Sequence, residues 1–190
     1  MCTALTLLLT VAMAAAAPDS SGLRRGNDHF RLGMSRAEVD SAVARRALEV
    51  MSNGTAFLVC GSNDPAIEYE QYSFFIPPHG EQLLWKVTLG YRLESTPTDL
   101  DSVMTRLTKL LGPPTSDSGA NAVTPDVWGE HPLPPPRLVS WEDPSTSVRL
   151  GARWSREPDR DADRMLVTWT DRRIQRLVEA RRKKDKPAAE

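Results

Sequence analysis

The sequence predicts an α+β fold, in which an antiparallel sheet carries helices packed on one face and a C-terminal helix follows. Two patterns support this prediction. Apolar residues spaced by three and four mark amphipathic helices, and segments of alternating apolar and polar residues mark half-buried strands. Because a helix followed by strands occurs twice, we expect a tandem repeat of a helix-plus-three-strands unit over about 30–97 and 98–171.

Composition limits the class of protein. The 190 residues are 40% apolar and 26% charged, with a formal net charge of −1. These values exclude collagen, a coiled coil and a wholly disordered chain, and they lack the basic excess of a nucleic-acid-binding domain. Composition therefore indicates a globular domain without indicating an activity.

Residues 1–16 resemble a secretory signal peptide. Their uncharged apolar run ends in alanines and fits cleavage after Ala16, although no Lys or Arg precedes the run. The run is too short for a membrane-spanning helix. Residues 17–29 are polar and predict a linker, and 30–186 predict a single domain. We therefore expect an exported protein, periplasmic or secreted, without a transmembrane span.

The clearest local signal begins the first helix. Ser35 and Glu38 have the spacing of a capping box, and Met34 and Val39 have the spacing of a hydrophobic staple. Four residues share one face of a helix near 35–46: Val39, Ala42, Val43 and Arg46.

Two interpretations fit residues 47–60. Asn53-Gly54 between apolar runs predicts a β-hairpin with Val50 opposite Phe57. Alternatively, the first helix continues to Ser52 and Gly54 caps its C-terminus.

The remaining elements follow from periodicity. Tyr72 and Phe74 mark one strand. A longer strand has six alternating apolar residues, which predict one buried face that includes Trp85: Leu83, Trp85, Val87, Leu89, Tyr91 and Leu93. A second helix ends at Gly112, and the seven prolines of 113–136 predict a surface loop. Three further strands place Trp141, Trp154 and Trp169 on apolar faces, and a basic C-terminal helix covers 171–183.

The sequence contains no recognisable catalytic or metal-binding motif. His29, His79 and His131 lie in separate predicted loops, and no nucleophile elbow, phosphate-binding loop or paired Cys is present. We therefore expect neither a cofactor nor a metal. Cys60 is alone after removal of Cys2 and follows apolar residues, so burial is the favoured interpretation. The alternative is an envelope hydrolase or thiol enzyme centred on Cys60 or on an acidic pair.

The candidate binding residues lie opposite the apolar row of the predicted sheet. They are the four basic residues Lys86, Arg92, Arg149 and Arg153, with Thr88 and Thr168 between them. Such a face fits an acidic protein segment, and it equally fits a solvated surface that prevents aggregation. Trp128 in the Pro-rich loop either contacts a partner or packs against its own loop. The basic tail is either a solvated helix end or a weak contact with anionic membranes.

Two segments carry a resemblance to a known family. Residues 32–39, Leu-Gly-Met-Ser-Arg-Ala-Glu-Val, resemble the opening helix of small bacterial envelope proteins of the BamE/SmpA type. Residues 111–114, Leu-Gly-Pro-Pro, are similar to the helix exit of such domains. The resemblance implies the architecture of the β-lactamase inhibitor protein, in which this unit is duplicated.

The resemblance also implies a function, within limits. It predicts an exported, non-enzymatic binding or scaffolding module of the cell envelope that acts through contact with a protein partner. The chain lacks a lipobox, and Arg45-Arg46-Ala47-Leu48 stands where such domains have a Gly-Pro junction. A role in outer-membrane assembly and the family's functional residues are therefore not carried over.

Overall fold

One antiparallel sheet organises the part of the chain that the structure describes. The structure is a computed structural model that describes residues 22–92, 97–118, 137–153 and 164–184. Within these ranges the sheet has eight strands and is accompanied by three helices. Several predictions fall outside these ranges: the signal peptide 1–16, Trp128, His131 and Trp154.

The order of elements places a helix before each group of four strands. In chain order the elements are α1 (Arg36–Arg45), β1 (Val50–Asn53), β2 (Phe57–Cys60), β3 (Ile67–Phe75), β4 (Leu83–Arg92), α2 (Pro97–Leu111), β5 (Ser116–Asp117), β6 (Arg137–Glu142), β7 (Thr146–Arg153), β8 (Arg164–Asp171) and α3 (Arg172–Lys184). Across the sheet the order is β1-β2-β3-β4-β8-β7-β6-β5, and all neighbours are antiparallel. The predicted mixture of helices with an antiparallel sheet is confirmed, and the sheet is larger than expected.

The two faces of the sheet differ in burial. Residues directly opposite each other on neighbouring strands lie on the same face. Tyr72 pairs with Val87, Val87 pairs with Trp169, and all three are buried. We call their face the core face, and the face of Thr88 and Thr168 the open face. The core face is covered by apolar residues of α1 and α2: Val39, Val43, Leu100, Val103 and Leu107.

Helix α1 begins as the sequence predicts. Ser35 Oγ accepts a hydrogen bond from the backbone N–H of Glu38, and Glu38 Oε2 accepts one from the Ser35 N–H at 2.7 Å. The capping box is therefore confirmed. The N–H of Leu84 also donates to the Met34 carbonyl at 2.8 Å, so the start of α1 is tied to the start of β4.

Residues 47–60 form a β-hairpin, so the alternative of a longer first helix is wrong. The expected register is also wrong, because Val50 pairs with Cys60 and not with Phe57. Gly54 lacks the positive φ that a two-residue turn of this type needs. Instead, the Phe57 ring packs against it, and a Cβ at this position would lie 2.4 Å from the ring. Close packing explains this glycine, and the loop is longer than two residues.

A bulge in β4 changes which residues face the core. Ser73 pairs with Lys86 but Phe74 pairs with Leu84, so Trp85 is an extra residue in the ladder. Leu84 is fully buried, whereas Trp85 is half-buried and lines a cavity with Lys86 on the open side. The predicted core position of Trp85 is therefore wrong, because strict alternation does not survive the bulge.

Helix α3 lies against the open face, opposite α1 and α2. Arg172 Nη1 donates to Oε2 of Glu142, an open-face residue, at 3.3 Å. Val178 and Arg181 line a cavity together with Lys86. The prediction that helices pack on one face only is therefore wrong for α3. Its amphipathic pattern predicts an apolar side but does not specify the surface that this side meets.

The second half contains a strand that the sequence does not predict. β5 falls within the expected Pro-rich loop 113–136 and pairs Ser116 with Ser140. A strand of two residues is too short to show alternation. Residues 119–136 of this loop lie outside the described ranges. The predicted end of α2 is confirmed, since Gly112 follows the helix with a φ of 84°, a left-handed conformation that favours glycine.

The described part of the predicted linker, from residue 22 onward, makes contacts with the sheet and its loops. The Leu23 N–H donates to Asp143 Oδ2 at 2.5 Å, and Arg25 forms an ion pair with Asp171. Asp171 also accepts a hydrogen bond from the backbone N–H of Arg173 at 2.9 Å, so it caps α3. One buried carboxylate thus joins the beginning of the described chain to its last helix.

A buried ion pair ties α1 to β3. Arg46, at the C-cap of α1, donates from two nitrogens to the two carboxylate oxygens of Glu70, at 2.7 and 2.6 Å. The hydroxyls of Tyr72 and Ser62 donate to the same carboxylate. Burial raises the pKa of Glu70, but the hydrogen bonds from Arg46, Tyr72 and Ser62 outweigh burial and leave this pKa below its ordinary value. The carboxylate therefore stays ionised in the folded protein.

We predict that Arg46→Met lowers the free energy of unfolding at neutral pH by about 3 kcal/mol, because it leaves a buried carboxylate without its cation. In the wild type, the stabilisation from the lowered Glu70 pKa is present above the ordinary pKa of a glutamate and is lost as the pH falls through the folded value. In the variant, the unpaired carboxyl is protonated more readily. The deficit should therefore shrink on acidification, which urea unfolding at neutral pH and at about pH 4.5 would measure.

Arg45→Met is the matched control, since Arg45 is the exposed preceding residue. It should change the free energy of unfolding by less than about 0.5 kcal/mol at either pH. An Arg46→Met deficit of equal size at both pH values would contradict this account of the pair.

Candidate functional site

The open face carries the residues that the sequence assigns to binding. Residues opposite each other on β4, β8, β7 and β6 form rows across it. The polar row consists of Thr88, Thr168, Arg149 and Ser140. The apolar row consists of Gly90, Leu166, Gly151 and Leu138. The arginine row consists of Arg92, Arg164 and Arg153.

Arg149 lies on the open face, as the sequence predicts. The hydroxyl oxygens of Thr88 and Thr168 lie 3.3 Å apart beside it in the polar row. Arg149 Nη2 lies 3.2 Å from Glu142 Oε1, and the side chain of Arg149 is 60% exposed. Arg172 contacts the other oxygen of Glu142 at 3.3 Å, so two arginines share one carboxylate. An exposed ion pair of this kind contributes little to the free energy of unfolding. Arg149 can therefore leave Glu142 and pair with a carboxylate of a binding partner at a small cost in free energy.

Lys86 also lies on the open face, near α3. Its Nζ is 5.5 Å from the centroid of the Trp85 ring, a distance that permits a cation–π interaction. Both residues line a cavity of about 430 Å³ with Val178 and Arg181 of α3. Lys86 therefore belongs to the boundary between the open face and this helix, while Arg149 lies further out on the face.

The two other predicted basic residues occupy one row. Arg92 of β4 and Arg153 of β7 both pair with Arg164, which lies between them on β8. Their backbone register therefore places the three residues in one row across the sheet. Trp128, the remaining predicted contact, lies outside the described residues.

An exposed apolar strip separates the basic rows. Leu138 is 50% exposed and Leu166 is 37% exposed, and Gly151 lies between them in the apolar row. Among the described residues, a Cβ at Gly151 would touch the Leu138 side chain alone, at 3.9 Å, so these residues leave the space between the two leucines open. Exposed apolar side chains flanked by arginines are typical of surfaces that bind other proteins.

Cys60 does not have the properties of a catalytic thiol. It is fully buried on the core face beside Glu70, which confirms the predicted burial. Burial, with the nearby charge of Glu70 as a smaller cause, raises the pKa of the Cys60 thiol. Since the thiolate is the nucleophile, a raised pKa and a buried position both disfavour thiol chemistry at this residue.

Two exposed residues of the site, Leu166 and Leu138, are not predicted from the sequence. Leu166 alternates with the buried Met165 and Val167, so a two-residue period would have placed it on the open face. The position of Arg164 in one row with Arg92 and Arg153 depends on the pairing of β4 with β8 and of β8 with β7, and no local pattern in the sequence indicates that pairing.

Other kinds of site receive no support within the described ranges. They contain no group of three or more His, Cys, Asp or Glu side chains placed to hold a metal ion. None of the described helices has the length and apolar character needed to cross a membrane.

Comparisons of this chain with protein-family models, with curated proteins and with solved structures found no match. The resemblance of residues 32–39 to BamE-type proteins therefore stays a prediction from the sequence.

Proposed function

We propose that the chain is an exported, non-enzymatic binding module of the bacterial cell envelope that contacts a protein partner through its open face. The observation that carries this proposal is the exposed apolar row between two rows that contain arginines. Leu138 and Leu166 supply apolar area, and Arg149 supplies an exposed cation next to it. Export through cleavage of residues 1–16 is part of the same proposal.

The chemistry of the open face favours an acidic partner with apolar side chains. The arginine row and Arg149 lie on opposite sides of the apolar row. A partner segment that carries a carboxylate beside an apolar residue would meet the exposed Arg149 and the two exposed leucines. Charges at the rim of an interface mainly accelerate association and select the partner, and apolar contact at its centre contributes more of the affinity. Trp128 is included as a further contact from the Pro-rich loop.

We also propose that the two halves of the chain are repeats. α1 precedes the strands β1–β4, and α2 precedes β5–β8. The order across the sheet runs outward from β4 in one half and outward from β8 in the other. This mirrored arrangement supports a duplicated unit whose last strands meet at the centre, and it makes the open face continuous across both units.

We predict that reversing four charges on the open face abolishes partner binding. The variant carries Lys86→Glu, Arg92→Glu, Arg149→Glu and Arg153→Glu. Wild-type protein immobilised as bait in an envelope extract of the native host should retain a partner that the variant does not retain, because an acidic partner would then be repelled. Retention should also weaken as salt is raised, since exposed charges are screened.

The matched control reverses four exposed basic residues away from the open-face rows: Arg31, Arg45, Lys109 and Arg176. It has the same net charge as the first variant and should keep the partner. Equal retention by the first variant and the wild type would refute the open face as the binding surface.

We predict that deleting residues 183–190 leaves both stability and partner binding unchanged. Helix α3 keeps Ile174, Leu177 and Val178, and cations at a helix C-terminus are favoured by only about 0.3–1 kcal/mol through the helix dipole. Thermal unfolding and the bait experiment measure the two properties. Co-sedimentation with vesicles that contain anionic lipid is the third measurement, and loss of membrane association on truncation would contradict the solvated interpretation of the tail.

A further inference from the structure

A cavity of about 430 Å³ lies between helix α3 and the open face of β3 and β4, and we call it the α3 cavity. Its volume is within the range that is typical of sites for small molecules. None of the described residues that line it belongs to the polar, apolar or arginine row. Its apolar wall combines side chains from the sheet, its loops and α3: Ala56, Phe75, Ile76, Trp85 and Val178.

Polar side chains of the sheet also line the α3 cavity. Ser73 of β3 lies opposite Lys86 of β4, and Gln71 lies two residues before Ser73 on the same side of β3. The side chain of Gln71 is half-buried and makes no hydrogen bond to the described residues. Its amide is therefore available to donate to a bound molecule.

Lys86 brings a positive charge to the apolar wall. Its Nζ lies 5.5 Å from the centroid of the Trp85 ring, and both residues are half-buried and line the cavity. Within the described ranges Lys86 forms no ion pair. Since a charge that is partly removed from water interacts more strongly with an opposite charge than an exposed one does, Lys86 is the group that an anion in this cavity would neutralise.

Arg181 of α3 adds a second positive charge at the rim. Its Nη1 donates to the Ile76 carbonyl at 3.2 Å, and the residue is exposed. This hydrogen bond holds the end of α3 over the cavity, where Val178, one turn earlier, contributes to the apolar wall.

The charge balance of the α3 cavity favours an anion. The described residues that line it include Lys86 and Arg181 but no Asp or Glu. A second cavity, of about 600 Å³ on the core face, differs because carboxylates line it: Asp28, Asp64 and Glu70. The preference for an anion therefore comes from the lining of the α3 cavity and not from the net charge of the chain, which is −1.

We propose that the α3 cavity binds a small organic monocarboxylate with an apolar body about the size of two fused rings. The carboxylate accepts a hydrogen bond from Lys86 Nζ, with Gln71 as a further donor, and the apolar body packs against Trp85 and Val178. The site does not depend on protein contact through the open face, because its described lining shares only Lys86 with the residues proposed for that contact.

Three probes with one naphthalene body test this inference. They are 2-naphthoate with a negative charge, 2-naphthamide without a charge, and 2-naphthylmethylammonium with a positive charge. The indole N–H signal of Trp85 in a ¹H–¹⁵N correlation spectrum of the protein is the readout, and Trp85→Phe identifies this signal by removing it. We expect 2-naphthoate to shift the signal saturably and to bind about fivefold more tightly than the amide, the upper end of what a partly exposed ion pair contributes. The ammonium probe should bind more weakly than the amide.

Two variants, each with a matched control, assign the binding to the α3 cavity. Lys86→Met removes the charge but keeps the length of the side chain, and Lys109→Met makes the same change at an exposed position of α2. The first should make naphthoate and amide bind equally, and the second should keep the fivefold ratio. Ala56→Phe adds a ring at the lining of the cavity, and Ala44→Phe adds one at an exposed position of α1. The first should abolish the shift of the Trp85 signal, and the second should keep it.

Several outcomes would each overturn the inference. They are equal binding of naphthoate and amide by the wild type, tighter binding of the ammonium probe, a fivefold ratio that survives Lys86→Met, a shift that survives Ala56→Phe, and no saturable shift at all. A shift of the Trp169 signal without one of Trp85 would also overturn it, because Trp169 lines the core-face cavity. None of these measurements requires the protein partner, so they can fail while the proposed function stands.

Discussion

The pairing of β4 with β8 is the constraint on which the rest of the structure depends. It joins residues 86–92 to 164–170 without interruption and turns two four-stranded groups into one sheet. On the core face it brings together the buried pairs Val87–Trp169 and Leu89–Val167. Because side chains alternate along a strand, a slip by one residue would move these apolar pairs to the open face. Burial of these apolar pairs on the core face therefore fixes which residues lie in the polar, apolar and arginine rows of the open face.

This pairing also places two unlike surfaces of the sheet back to back. Trp169 of β8 lines a cavity of about 600 Å³ on the core face, and the preceding Thr168 lies in the polar row of the open face. The two surfaces share a strand, but they differ in chemistry. The cavity has an apolar wall that includes Leu89 and Leu107, and the ion pair of Arg46 with Glu70 also lines it. The open face instead carries the exposed Arg149 and two exposed leucines.

Local patterns in the sequence predicted local structure well. The Ser35–Glu38 capping box, the end of α2 before Gly112 and the hairpin after α1 all depend on neighbours within a few residues. The bulge at Trp85 was not predictable, because it is set by the pairing of β3 with β4 and leaves the apolar composition unchanged. The face against which α3 packs depends likewise on distant strands. Periodicity thus reports that a side chain is buried but not what buries it.

The same distinction applies to the candidate sites. Alternation correctly placed Lys86 and Arg149 on the open face, because each lies one residue from a buried neighbour. The apolar row and the cavity escaped prediction, since both are made by residues from distant parts of the chain. Trp169, whose buried Nε1 has no acceptor among the described residues, is a further example. A sequence shows that a tryptophan is apolar enough to be buried, but only the packed structure shows whether its N–H finds an acceptor.

The ion pair of Arg25 with Asp171 has a consequence for the order of folding. Its partners are 146 residues apart, and the Leu23–Asp143 hydrogen bond spans 120 residues. During synthesis or transport from the N-terminus, Arg25 emerges early but has no partner until β8 is complete. The central pairing of β4 with β8 needs the same strand, so the contact of the N-terminal segment and the closure of the sheet depend on one late part of the chain. A truncation before β8 would therefore remove both at once.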